Sequence, residues 1–101
     1  MRKYEAVFVY PPGEAALAAG KQTVAEEFGN QKVNVLSEED MHERDLAYEI
    51  KGNGRGHYIL YNVEAEPEAV SAIDKSLKIK PEILKFTFFR EDPRLRQKRS
   101  G

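Results

Sequence analysis

The groups best able to act chemically in this chain are cations near its two ends. Arg2 and Lys3 precede the first apolar alternation, and Arg90, Arg94, Arg96, Lys98 and Arg99 crowd the C-terminal segment. Ammonium and guanidinium groups at this density suit phosphate oxygens, and a guanidinium can hold one bidentately. A solvated tail is the ordinary alternative for a charge run. A third basic group, Lys51, Arg55 and His57, flanks the stretch Gly52-Asn53-Gly54-Arg55-Gly56, which reads as a mobile hairpin tip. Glycines there would let backbone approach a phosphate closely. The stretch joins two strand patterns and opens no helix, so it is no nucleotide-cradling loop. The acidic run Glu38, Glu39, Asp40, Glu43 and Asp45, with His42, invites a metal reading but lacks the spacing and glycine of a calcium loop. It reads as a solvated bend or a docking surface for a basic protein. With no cysteine there is no thiol nucleophile and no disulfide. The two histidines are far apart, and no serine–histidine–acid arrangement suggests itself. No catalytic residue, metal or cofactor is expected.

Charge is unevenly distributed. The 101 residues carry a net charge of −1. Positions 4–90 hold ten Lys/Arg and fifteen Asp/Glu, a balance of −5, and the ends hold six basic and two acidic groups, a balance of +4. A protein held by phosphate contacts alone would carry a basic body. Local nucleic-acid contact assisted by a protein partner fits better. The length suits one domain. At 41% hydrophobic and 33% charged residues, the chain is too apolar to be wholly disordered. No apolar run approaches the roughly 20 residues of a membrane span. The opening residues lack a secretory leader pattern, so a cytoplasmic protein is expected.

Six elements must position these groups. Residues 3–10 alternate as a strand, with Tyr4, Ala6, Phe8 and Tyr10 on one face. Pro11-Pro12-Gly13 ends it. Residues 14–28 read as a helix with Leu17, Val24, Ala25 and Phe28 on one stripe, weakened at Gly20 by about 1 kcal/mol relative to alanine. Residues 32–36 and 45–50 read as strand, with a bend, bulge or break between them. Residues 57–64 give the clearest strand, with Ile59, Tyr61 and Val63 on one face. A second helix starts at Glu66-Pro67-Glu68 and uses Val70, Ile73 and Leu77 as its stripe until Pro81 bars continuation. Residues 83–90 make the last strand, with Leu84, Phe86 and Phe88 on one face.

The order βαββαβ predicts an α+β, ferredoxin-like split βαβ sandwich: a four-stranded antiparallel sheet with two helices on one face. The helix-free face would present Val7, Val9, Tyr58, Leu60, Lys85 and Phe89. It is more apolar than water alone favours, which marks a contact surface. Base stacking on Tyr58 and Phe89 lacks the glycine–aromatic consensus of RNA-recognition sheets, so these six residues are assigned to a protein partner. Residues 1–92 form the expected domain, and 93–101 a basic tail expected to be disordered alone.

The residues also resemble a known family. Met1-Arg2-Lys3-Tyr4-Glu5, Leu46-Ala47-Tyr48 followed by Ile50, and Gly56-His57-Tyr58-Ile59-Leu60-Tyr61-Asn62-Val63-Glu64 are similar to the bacterial small-subunit ribosomal protein six family. The spacing of both helices and the closing strand match as well, over residues 1 to about 92. Glu49 stands where that family commonly has proline, and the acidic stretch 38–45 is longer than usual. The resemblance implies a non-enzymatic constituent of the small ribosomal subunit, on the ribosome in the cytoplasm. It implies binding to the central domain of small-subunit ribosomal RNA, with the eighteenth small-subunit protein as heterodimeric partner. Arg2, Lys3, Lys51, Arg55, His57, Arg90, Arg94, Arg96, Lys98 and Arg99 are the expected RNA contacts.

Two other classes remain open. A small-molecule regulatory domain of the same fold would need a glycine-rich ligand loop, and the glycine-rich stretch here is a basic hairpin tip. An acylphosphatase-like hydrolase would need an arginine-bearing anion cradle after the first strand. This chain has Pro11-Pro12-Gly13-Glu14 there.

Overall fold

The computed structural model describes residues 1–90. The elements are β1 (Arg2–Tyr10), α1 (Glu14–Asn30), β2 (Asn34–Ile50), β3 (Asn53–Ala65), α2 (Pro67–Leu77) and β4 (Lys85–Arg90). The strands form one sheet in the order β2-β3-β1-β4, and every neighbouring pair is antiparallel. This is the expected βαββαβ sandwich.

Alternation decides which face of the sheet is core. Tyr4, Ala6, Phe8 and Tyr10 of β1 are buried with Ile59, Tyr61, Val63 and Ala65 of β3. Val24 and Phe28 of α1, and Ala69, Ile73 and Leu77 of α2, complete the same cluster. Phe8 sits at its centre. Its ring stacks on Phe86 at 5.3 Å and meets Tyr61 edge-on at 5.4 Å between centroids, separations that suit the ring quadrupoles. Tyr10 and Tyr61 share a hydrogen bond of 2.7 Å between their hydroxyls inside this core. Burial pushes the Tyr61 phenol up to about 12 and the Tyr10 phenol further still, so both stay neutral.

Gly20 has a packing reason. A Cβ there would overlap the Tyr10 ring and lie 2.8 Å from the Glu82 carbonyl oxygen. The helix propensity lost at this position is exchanged for close approach of α1 to the sheet. Pro67 occupies the first turn of α2 and Glu68 lies beside its N-terminus, as the missing N–H and the helix dipole favour.

Several element boundaries differ from the sequence expectation: α1 runs on to Asn30, β3 begins at Asn53 and β4 only at Lys85, and β2 differs most. Residues 34–36 and 45–50 belong to one strand of 17 residues, and the acidic stretch between them is a bulged part of it, while Lys32 (φ 58) and Val33 precede the strand. Register shifts fall between Val35 and Ser37, Asp40 and Glu43, and Asp45 and Ile50. His42 takes φ 67 at the middle shift. The glycine-rich stretch is no open tip either. Lys51 (φ 50) and Gly52 (φ 82) alone make the turn, and Asn53 already pairs with Ile50. Two consecutive positive φ values match the right-handed twist of the flanking strands. Ile83 and Leu84 are buried ahead of β4, and the Leu84 N–H donates to the Val9 carbonyl at 2.8 Å.

Candidate RNA and partner interface

The sheet separates the expected RNA contacts into two places. Arg2 and Lys3 start β1, and Arg90 ends β4 opposite Tyr4. Antiparallel pairing therefore gathers these three exposed cations at one corner. None of them has an ion-pair partner among the described residues. Lys51, Arg55 and His57 lie at the opposite end, where Tyr10 pairs with His57. Arg94, Arg96, Lys98 and Arg99 lie outside the described residues.

At that opposite end the cations already have partners. Arg55 Nη1 donates to Asp45 at 2.8 Å, and its Nε lies 3.8 Å from Glu43. His57 Nε2 is 2.6 Å from Asp40 Oδ1. The Asp40 carboxyl is held below its ordinary range, first by the His42 backbone N–H and then by the His57 ring. Lys51 Nζ donates to the carbonyl oxygens of Lys80 at 3.1 Å and Ile83 at 2.8 Å. The expected mobile basic tip is thus a pinned turn followed by strand residues in cross-strand pairs.

The acidic stretch is spent the same way. Glu38 binds Lys21 of α1 at 2.6 Å, and Glu43 accepts from the Gly13 N–H at 3.0 Å. These contacts tie β2 to the middle of α1 and to the residue that precedes that helix. Among the described residues no group of three or more His, Cys, Asp or Glu side chains could hold a metal ion.

The helix-free face is the second candidate surface. Val7, Tyr58 and Leu60 are half-buried, and Lys85 and Phe89 are exposed, Phe89 at 53%. Val9 departs from the expectation: it is only 4% exposed. Gly56 leaves a space that Val9 and Leu46 both enter, since a Cβ there would overlap Val9 and touch Leu46 at 3.4 Å. Val9 therefore belongs to the fold and not to the open surface. Met41, which sequence reasoning missed, joins Glu5, Val7, Leu60 and Phe89 around a depression of about 270 Å³. Period-two counting could not find it, because the bulge at His42 re-aims the strand. Arg44 lies over the Tyr58 ring at 5.9 Å. Asn62 donates to Ser37 Oγ at 2.8 Å, while its Oδ1 is buried without a hydrogen-bond partner among the described residues.

The two edges of the sheet differ in charge. β2 carries Glu38, Glu39, Asp40, Glu43, Asp45 and Glu49 against one arginine. β4 carries Lys85 and Arg90 and no acid.

Comparison with known proteins agrees with this architecture. A family profile described as ribosomal protein S6 matches residues 3–90. The small ribosomal subunit protein bS6 of Treponema denticola is 37% identical over 90 residues, covering 89% of this chain and 97% of that protein. The bS6 protein of Treponema pallidum is 32% identical over 92 residues, covering 91% and 99%. In structure, the 30S ribosomal protein S6 of Thermotoga maritima superposes with a TM-score of 0.80 at 24% identity, covering 98% of this chain and 95% of that one. The C-terminal domain of the MgtC protein from Mycobacterium tuberculosis shares the fold at a TM-score of 0.60 and 7% identity, covering 92% and 90%. From the near full-length profile match and the two bS6 relatives, the chain belongs to the ribosomal protein S6 family.

Proposed function

We propose that this chain is a structural, non-catalytic constituent of the small ribosomal subunit. In this reading it binds the central domain of small-subunit ribosomal RNA together with the eighteenth small-subunit protein. The observation that carries the reading is the charge polarity of the sheet. One corner gathers Arg2, Lys3 and Arg90 without ion-pair partners among the described residues, and the far edge is acidic. Free cations at a strand corner suit phosphate oxygens and fix orientation without reading sequence. The sequence after Arg90 adds Arg94, Arg96, Lys98 and Arg99, cations of the same chemistry.

The helix-free face supports the protein half of the reading. Val7, Met41, Leu60 and Phe89 form an apolar patch beside Glu5, and an apolar centre of this kind suits a protein–protein contact.

The test is binding of the purified chain, with and without the eighteenth small-subunit protein of the same bacterium, to a transcript of the rRNA central domain. A stable ternary complex at moderate salt is expected. Absence of RNA binding with the partner present would sink the proposal.

A further inference from the structure

The end of α2 and the start of β4 hold a concentration of positive charge of which the sequence had suggested a role only for Lys85, as a protein contact. Lys75, Lys78, Lys80 and Lys85 fall within eleven positions that contain one acid, Glu82. The β2–β3 turn brings Lys51 to the same place, through its hydrogen bonds to Lys80 and Ile83. Half of the ten cations between positions 4 and 90 thus gather at one corner of an acidic body.

The corner is shaped as well as charged. Lys51, Lys78 and Lys85 rim a depression of about 210 Å³ floored by Leu77, Ile83 and Phe86. Asp74 also lines it, 3.7 Å from Lys78 in an exposed i,i+4 pair, a contact of little worth in water. Glu82 turns to α1, where it accepts from the Thr23 hydroxyl at 2.7 Å. That donation holds its carboxyl below the ordinary range, helped by Lys80 and Lys51. The Lys51 ammonium has three donors. Two are committed to carbonyls, so the charge is held in place with one donor to spare. Ile79, between Lys78 and Lys80, is 78% exposed, the most exposed large apolar residue among those described.

We propose that this corner, centred on Lys78, Lys80 and Lys85 and organised by Lys51, is a second phosphate-contacting surface for RNA. It is separate from the Arg2–Lys3–Arg90 corner. Lys85 and Arg90 mark opposite ends of β4, about 17 Å apart at the usual strand rise. The basic edge therefore offers two anchor points to one RNA. The inference rests on the RNA-binding reading above and extends its footprint.

The experiment compares three forms of the chain, each in complex with the eighteenth small-subunit protein: wild type, K78Q/K80Q, and K21Q/K32Q. The last removes the same charge from a different side of the molecule. Binding to the rRNA central-domain transcript is measured across a salt series. Each lost phosphate contact lowers the slope of log K against log salt by about 0.7–0.9. K78Q/K80Q is expected to lower it by about 1.4–1.8 and to weaken binding at least tenfold, with K21Q/K32Q near wild type, because the Lys21–Glu38 pair is solvent-exposed and a glutamine can still donate to that carboxylate. Equal slopes for K78Q/K80Q and wild type would overturn the second surface and leave the RNA-binding reading standing. Equal losses in both variants would reduce the effect to net charge and overturn it too. No RNA binding by wild type would overturn both.

Discussion

The polar group buried deepest in this core is a pair of phenols. Tyr10 and Tyr61 come from central strands, and each satisfies the other at 2.7 Å. Removing one hydroxyl leaves its partner buried without a mate, and removing both does not. Tyr10→Phe and Tyr61→Phe are each expected to cost about 1–2 kcal/mol in urea denaturation. The double variant should cost far less than their sum, and additive losses would count against the pair as an energetic unit. The pH dependence has a definite sign. Both phenols are raised in the folded state above the ordinary value of 10.0. Their contribution is fully present below pH 10 and is lost as pH rises above it, where the unfolded chain ionises and the folded one resists. The double phenylalanine variant should show a shallower alkaline loss than wild type.

At the scale of elements, two helix and hairpin details decide how the layers meet. An exposed helix interior gains about 1 kcal/mol from glycine-to-alanine replacement. Gly20→Ala should do the opposite here, because the new methyl overlaps Tyr10 and crowds the Glu82 carbonyl. A destabilisation of about 1–3 kcal/mol is expected from overpacking, read as a lower urea midpoint at unchanged slope. A gain in stability would mean α1 can withdraw from the sheet at little cost. The β2–β3 hairpin extends past β1, whose pairing with β3 stops at Tyr10 and His57. Its far end is secured by Lys51 on two carbonyls of the α2–β4 connection. Lys51→Met keeps the aliphatic stem and removes both bonds. Amide exchange should quicken at Asn53–Arg55 while the β1–β3 core is unaffected. Unchanged exchange would show that the turn holds the hairpin without the tether.

For the whole molecule, the sheet sorts its surfaces by face and edge. One face is closed by the helices, and the other presents Phe89 at 53% exposure beside Val7, Leu60 and Met41. Phe89→Asp places a charge in that patch without touching the core. On the proposed pairing with the eighteenth small-subunit protein, it should weaken that contact by about 30-fold or more, as losing a central aromatic anchor does. Thermal stability should be near wild type. Calorimetric titration with the purified partner checks this, and undiminished pairing would move the partner site off the helix-free face. The edges divide by charge, β2 acidic and β4 basic. The acids of β2 also guard an exposed strand edge against pairing with a second copy.

Much of this was legible in the residues themselves. Alternation over 3–10 and 57–64 identified the core faces, and Pro67 and Pro81 bracketed the second helix. The order of elements named the sandwich, because side-chain period and chain breakers are local properties. The apolar surplus on the helix-free face was visible for the same reason. Pairing between distant segments was not. Sequence spacing could not tell that Arg55 and His57 spend their charge on Asp45, Glu43 and Asp40 across a bulged hairpin. Nor could it tell that Val9 is roofed by Leu46 over Gly56, or that Gly20 exists for the Tyr10 ring. Lys51 meets the lysines of the α2–β4 connection through a gap of about 30 positions. Which cations are left without ion-pair partners among the described residues depends on such long-range contacts, and only the packed sheet creates them.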